Sequence, residues 1–417
     1  MGVTRVPWRR FASAKRSFTT RRVPVANMKT LITGMVTPVS GDLVMATVQE
    51  IGKQRKIEQP SGRRAFLLPG DEIIVCYGSR YAPDQYEAII SEDLGLCDLV
   101  AAGGIASREI NRHDRMPPPT KIMPLGLVGN QNGQRLNVSD YRVSQEPFEH
   151  AVKVIVVVGT AMNSGKTFTA ASLMFSLKST KYRVAGIKAT GTGSGGDVFL
   201  FRDMGADIVL DFTDGGFSST YLQKDKDIEK TTLALIDEAA RRGCDVIIME
   251  IADGLRHNET ATLLQSECLR SRVSCVVFAA YDSMGAKAGY ETLRGWGYDV
   301  LAISGQLTRS PLAMRETANG LDAQILTPFQ IQAGALLPKI IPDYGMNGSE
   351  TNINTLHLGI SKQRHDTIIP QTDTGHVFQI MNGNDGYYFE HNDYEDDIED
   401  LRDLNIQPDV PHFVKRA

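Results

Sequence analysis

Val154-Ile155-Val156-Val157-Val158-Gly159-Thr160-Ala161-Met162-Asn163-Ser164-Gly165-Lys166-Thr167 decides the fold. Five β-branched residues without polar alternation describe a strand buried on both faces, and such strands belong to parallel sheets covered by helices. The glycines that follow let the chain curl, and residues 166–178 then carry helical periodicity. A strand, a glycine loop and a helix joined through Gly-Lys-Thr form a phosphate-loop pattern. Inward-pointing backbone N–H groups and the positive end of the helix cradle an anion, the lysine reaches the β- and γ-phosphates, and the threonine hydroxyl suits magnesium. The expected nucleotide-binding residues are Gly159, Thr160, Asn163, Ser164, Gly165, Lys166, Thr167 and Phe168. The spacing differs from the commonest form, G-x-x-x-x-G-K-[ST]. Thr160 stands where that form has its first glycine, and Gly159 lies one residue earlier.

The same grammar continues downstream. Apolar runs at 184–187, 208–210, 246–251, 273–280, 300–303 and 325–326 alternate with amphipathic segments at 228–242, 259–270, 285–295 and 310–319. Strand and helix in alternation predict a doubly wound, mostly parallel α/β sheet, a P-loop NTPase domain over 149–342, with its chemistry at the carboxyl ends of the strands. Upstream, residues 28–148 read as a smaller β-rich domain. Its apolar stretches are short and separated by Gly, Pro, Asn and Asp, as in a small barrel or sandwich. Pro117-Pro118-Pro119 is a stiff connector within it. Ala101-Ala102-Gly103-Gly104-Ile105, followed by Arg108, Arg112, His113 and Arg115, is either a cationic lip or a solvated loop.

The longer loop, with Gly-Thr after the strand and Gly-Lys-Thr before the helix, resembles that of dethiobiotin synthetase and its relatives, which include cobyrinic acid amide-forming synthetases. Val184-Ala185-Gly186-Ile187-Lys188 is similar to that family's second strand, whose lysine reaches nucleotide phosphate and substrate. Gly195-Gly196-Asp197 is similar to its Ser-Asp, where the aspartate helps hold magnesium, and Val246-Ile247-Ile248-Met249-Glu250 to its third core strand with a metal-facing glutamate. The resemblance implies ATP and Mg2+ as cofactors, Thr167, Asp197 and Glu250 around the metal, and ligase chemistry on a small molecule. Two departures stand out: Ala189-Thr190-Gly191-Thr192-Gly193-Ser194 replaces the family's usual proline segment, and the β-rich first body has no counterpart in dethiobiotin synthetase. A weaker resemblance runs to P-loop proteins bearing an extra N-terminal domain, a group that includes a D-glutamate N-acetyltransferase.

Read for their own chemistry, the same residues ask for a triphosphate. Lys166 and Lys188 close two strands joined by one crossover helix, so both can approach one phosphoryl group; a strand-end surface lysine is the plain alternative for Lys188. Glu250 is an acid in an apolar run, costly when unpaired and relieved by a metal or by a salt bridge. Asp253, just past that run, is a candidate general base, and Asp211 and Asp214 either face the site or shape a turn. The hydroxyl-rich segment 190–194 suits an anionic substrate, and Gln306, after the 300–303 run, suits adenine's edge. Arg309, Arg315, Asp282 and Lys287 are weaker candidates.

Composition narrows the setting. The chain has 417 residues with 45 Lys+Arg against 49 Asp+Glu, a net charge of −4 that favours neither nucleic acid nor an anionic membrane. Five dispersed cysteines without a CxxC pair argue for a reducing, cytoplasmic setting without structural zinc. Residues 1–27 are rich in Arg and Ser and free of acids, predicting a disordered basic segment or an organellar targeting sequence. Residues 343–417 read as an acidic C-terminal extension, with nine acids between Asp385 and Asp403. The leading expectation is an enzyme that uses Mg-ATP to activate a carboxyl or carbamate group of an unidentified, anionic small molecule, with Lys166, Lys188 and Asp253 catalytic. An N-acyltransferase that seats CoA phosphates in the loop, and a regulatory or assembly NTPase, stand as alternatives; a homodimer is left open.

Overall fold

The quoted stretch folds as a strand, β1 (Lys153–Gly159), that runs into a helix, Lys166–Leu177, in a computed structural model describing residues 2–341. The expected C-terminal extension, 343–417, lies outside the described residues. Five further strands join β1: β2 (Val184–Lys188), β3 (Ile208–Asp211), β4 (Val246–Glu250), β5 (Cys275–Ala279) and β6 (Val300–Ser304). They form one sheet in the order β3-β2-β4-β1-β5-β6, parallel throughout. Both faces are covered, as β1 itself records. Val154, Val156 and Val158 pack with Leu235, Ile236 and Leu263 on one side, while Ile155 and Val157 pack with Ala170, Leu173 and Met174 on the other. The apolar run has no polar alternation because neither face meets water.

Three elements differ from the sequence reading. The 325–326 run forms only an isolated bridge, Ile325 to Ile303. The 259–270 segment is two helices, Asn258–Gln265 and Glu267–Arg270, because the Ser266 hydroxyl accepts from Leu269 N at 3.2 Å and caps a new start. A helix at Gly196–Asp203 went unforeseen, since its paired glycines disguise it.

Residues before β1 form a ten-stranded sheet, five strands of which close on themselves. Thr120–Gly129 pairs with Leu43–Glu50, which pairs with Glu72–Tyr77; the circuit continues through Ile105–Arg112 and Cys97–Ala101 back to Thr120–Gly129. Closure leaves this ring without free edges, and Val44, Val75, Leu99, Ala106, Ile122 and Leu127 fill it. Pro124 is tolerated inside a strand because the register shifts there. The Gly103-Gly104 segment is a hairpin turn between two ring strands, with Gly104 at φ +100°. Arg112 pairs with Glu109 at 3.2 Å and His113 lies 2.9 Å from Asp114, contacts that favour the solvated-loop alternative over a cationic lip.

The expected disorder of residues 1–27 is corrected over their described part. Gly2–Arg5 pairs with Thr30–Thr33, and Trp8–Ser13 is helical. Phe11, Val23 and Met28 bury against Leu43, Met45 and Ile74 on the outer face of the ring. Several of the basic residues have partners: Arg10 with Glu72, Lys15 with Asp71, and Arg21 with both Asp211 (2.8 Å) and Asp214 (2.7 Å) across the boundary between the two sheets. Charge density suggested a solvated tail, yet the apolar residues spaced through it anchor it. Asp211 and Asp214 thus serve this clasp: Asp211 Oδ1 also accepts from Thr213 N at 2.8 Å, shaping the turn after β3. Among the described residues no helix is long and apolar enough to cross a membrane.

Candidate functional site

At the carboxyl end of β1 the chain folds back on itself. A Cβ at Gly159 would lie 2.1 Å from Ser164 Oγ and 2.7 Å from Lys166 Cγ, so only glycine lets the loop close. Gly165 has φ +95° and faces the backbone of Gly305, 3.0 Å from where its Cβ would be. Asn163, at φ +60°, takes a left-handed conformation that asparagine tolerates. The end of β6 braces the loop, with Gln306 N donating to Ser164 O at 3.0 Å. The Gln306 side chain accepts from Arg309 Nη1 at 3.3 Å. The hydroxyls of Thr160 and Ser164 are buried without hydrogen-bond partners, and Phe168 is half-buried on the first turn of the helix.

β4 lies between β1 and β2, which the sequence reading did not foresee, and it brings Glu250 into register with both Val157 and Lys188. Three neighbouring strand ends therefore converge. Thr167 Oγ1 donates to Glu250 Oε1 at 3.2 Å. Lys188 pairs with Asp197 and stands 3.8 Å from the same Glu250 oxygen. Lys166 is buried and donates to Ala161 O at 2.7 Å. Burial pushes the Lys166 ammonium below its ordinary value; Glu250 and Asp253 resist that shift, and Lys188 adds to it. Burial likewise pushes the Asp253 carboxyl up, against the pull of Lys166, His257 and Lys188. Gly254 turns so closely against the phosphate loop that a Cβ would lie 2.4 Å from Thr160 O.

Glu250 is 1% exposed, and its Oε2 has no hydrogen-bond partner. A buried carboxylate oxygen without a donor is unfavourable, and beside a threonine hydroxyl it fits a divalent cation. Among the described residues no group of three or more His, Cys, Asp or Glu could hold a metal alone. The rest of such a shell would come from phosphate and water oxygens, as magnesium favours. Asp197, expected near the metal, is tied to Lys188 in this structure.

Connections between the ring strands contribute to the same region. Asp84 Oδ2 accepts from Asn163 Nδ2 at 2.6 Å, reaching the phosphate loop. Glu58 Oε2 accepts from Gly195 N at 2.8 Å and Ser194 Oγ at 3.2 Å, which caps the helix carrying Asp197. The glycine-rich 190–194 segment is pressed rather than free: a Cβ at Gly103 would lie 2.0 Å from Gly193 O, and the Thr190 hydroxyl donates to Ala252 O. Beside it opens a small cleft of about 10 Å³, room for about one water, lined by Tyr81, Thr192, Tyr221, Asp253, His257 and Glu259 among others. The Tyr81 ring centroid is 4.5 Å from that of His257 and 5.4 Å from that of Tyr221. Tyr221 donates to Glu87 Oε1 at 3.0 Å, and burial together with that bond moves its phenol up to about 12.

Sequence reasoning missed Glu58, Asp84, Tyr81, His257 and Glu259. Only the last two carried a local signal, the polar run Arg256-His257-Asn258-Glu259 immediately after the Asp253-Gly254 turn. Asp282 is accounted for by capping: it accepts from Gly285 N at 2.7 Å and starts the helix Ser283–Gly295.

No protein-family model and no curated protein matches the sequence. Among solved structures, the chain is similar to the signal recognition particle receptor FtsY from Elizabethkingia anophelis at 18% identity and a TM-score of 0.27, covering 40% of this chain and 52% of that one. It is also similar to the kinase domain of the Escherichia coli tyrosine kinase ETK, at 14% identity and a TM-score of 0.29, over 37% and 66% of the respective chains. The chimerical protein CapA2B2 is matched at 14% identity with a TM-score of 0.28, over 37% and 76%. This chain thus spans about half the length of the FtsY structure. The P-loop reading rests on the strand, loop and helix described above.

Proposed function

We propose that this chain binds Mg-ATP in the loop of residues 159–167 and uses it to activate a carboxyl or carbamate group of a small molecule. The convergence of Lys166, Thr167, Lys188 and Glu250 at three neighbouring strand ends carries the reading. Lys166 and the loop N–H groups hold the β- and γ-phosphates. Thr167 and Glu250 would hold magnesium, which when bound offsets charge on the phosphate oxygens. Lys188, poised between Asp197 and Glu250, turns to the migrating phosphoryl group. A substrate carboxylate oxygen bonds to the γ-phosphorus as the bond to ADP breaks. An amine then bonds to the activated carbon as phosphate leaves. Of the two protons that an ammonium must lose, one departs on phosphate and the other reaches solvent.

Titration calorimetry with ATP, ADP and GTP, with and without magnesium, tests the nucleotide step. We expect magnesium-dependent binding that favours adenine, in line with the family resemblance and the lack of an Asn-Lys-x-Asp guanine motif. Absence of binding by every purine nucleotide would overturn the proposal. The ligase step predicts ADP release that stays low until a carboxylate and an amine are both supplied. Release indifferent to any acceptor would point instead to a regulatory NTPase.

A further inference from the structure

We propose that the cleft beside the phosphate loop is the acceptor site, and that His257, held by Glu259, takes the proton from the acceptor's nucleophilic atom. The inference rests on the nucleotide reading above. Asp253 links the two places, since it lines the cleft and its charge interacts with Lys166 and Lys188. Both ring nitrogens of His257 are buried, and neither makes a hydrogen bond. Buried polar atoms in folded proteins are nearly always paired, so an unpaired imidazole on a cleft wall is available to a ligand.

Its surroundings set its orientation. Glu259 Oε2 lies 3.3 Å from His257 Nε2, close enough for charge contact though off the hydrogen-bonding direction. Glu259 is itself fixed, 8% exposed, with Oε1 accepting from Leu222 N at 3.0 Å. A carboxylate on the Nε2 side favours the tautomer protonated there, which leaves the Nδ1 lone pair for the acceptor. The Tyr81 ring, 4.5 Å away, limits tilting of the imidazole. Base, orienting carboxylate and adjoining cleft together make the arrangement expected of general-base catalysis.

At about 10 Å³ the cleft has room for about one water-sized group, far short of the roughly 300–1,000 Å³ pockets of drug-sized ligands. It takes the nucleophilic group of the acceptor alone, a water-sized N–H or O–H group beside Tyr81 and Tyr221. In the step assigned to His257, the X–H bond breaks and its electron pair forms the bond from X to the activated carbon. The proton passes to Nδ1, and phosphate leaves. When water takes the acceptor's place the same transfer accompanies attack on the γ-phosphorus, and ADP leaves.

Water as the acceptor makes the test possible with ATP alone. Phosphate release from Mg-ATP is followed with enzyme in excess, alongside calorimetric Mg-ADP affinity, for wild type, His257→Ala, His257→Gln and Glu259→Gln. We expect Mg-ADP affinity within about twofold of wild type in all three. Release should fall about 10²–10⁴-fold in both His257 variants, fall less in Glu259→Gln, and recover partly in His257→Ala when imidazole is added. Wild-type release in His257→Ala overturns the inference, as does a loss that imidazole leaves untouched and that tracks a lower melting temperature. A wild-type protein that binds no Mg-ADP overturns the nucleotide reading and this inference with it. Normal binding with release indifferent to His257 overturns the inference alone.

Discussion

Replacing Arg21 with alanine tests how the N-terminal segment is tied to the parallel sheet. Arg21 Nη2 contacts Asp211 Oδ1 at 2.8 Å and Asp214 Oδ2 at 2.7 Å, and the two acidic side chains are only 1% and 9% exposed. Removing one partner of a buried ion pair costs about 3–5 kcal/mol, because the remaining charge stays buried without compensation. Arg22 still reaches Asp214 at 3.2 Å, which places the loss near the lower end. Arg21 also stacks 4.0 Å from the centre of the Phe18 ring, a contact worth about 0.5–1 kcal/mol. A loss of about 3–4 kcal/mol corresponds to a melting point lower by about 4–6 °C in a unit of this size. The deficit has a defined pH dependence. Burial pushes the Asp214 carboxyl above its ordinary value, and Arg21 is the first force holding it down. An acid whose folded value is raised binds more protons folded than unfolded, so it costs stability progressively as pH rises through the folded value. Without Arg21 that rise is larger. The deficit should therefore be full near pH 7.5 and smaller near pH 5, where the freed carboxyl can take a proton. Urea unfolding at about these two pH values reads it directly. A loss below about 1 kcal/mol, or one equal at both pH values, would show the clasp to be a solvent-screened surface contact and refute the reasoning.

Two further outcomes follow from the site. Lys166→Ala should abolish Mg-ATP binding in calorimetry, whereas Lys188→Ala should keep most of the affinity and lower turnover by about 10²–10³, the scale of one lost charge-stabilising contact in a transition state; equal, small effects would remove Lys188 from the chemistry. Glu250→Gln should leave the metal-free melting temperature equal or higher, since it removes a buried negative charge whose Oε2 has no donor, while shifting turnover toward higher magnesium; a markedly lower melting temperature with unchanged magnesium dependence would make Glu250 scaffold.

What could be read from the chain was what repeats locally. The β1 run and the Gly-Lys-Thr junction announce themselves because burial on both faces leaves no room for alternation and a curled loop leaves no room for side chains. Glu250 stood out for a related reason, as an acid where the pattern demands an apolar residue. By contrast, the N-terminal segment misled because its charges are in sequence while their partners are not. Arg10 finds Glu72 and Arg21 finds Asp211, separations that no local pattern encodes. Tyr81 escaped for the same reason: nothing near it in the chain indicates that His257 will lie beside it. The order of strands was also beyond local reading, and it places Glu250 rather than Lys188 next to the phosphate-loop strand.

These long-range contacts share one physical consequence. The connections between the ring strands touch the parallel sheet at the loop of residues 159–167 and its neighbours. Glu58 fixes the start of the helix bearing Asp197, Asp84 engages Asn163 of the phosphate loop, and Tyr81 walls the cleft. An enzyme must hold its reacting groups in place, since a misplacement of about 1 Å costs about a hundredfold in rate. Side chains on glycine-rich loops cannot supply that rigidity from their own backbone. Here it comes from outside, through Gly103 packed on Gly193 and carboxylates aimed at backbone N–H groups. These connections therefore do more than join the ring strands. They fix the start of the helix bearing Asp197 and one wall of the cleft, so the geometry of this region is a joint property of the two sheets.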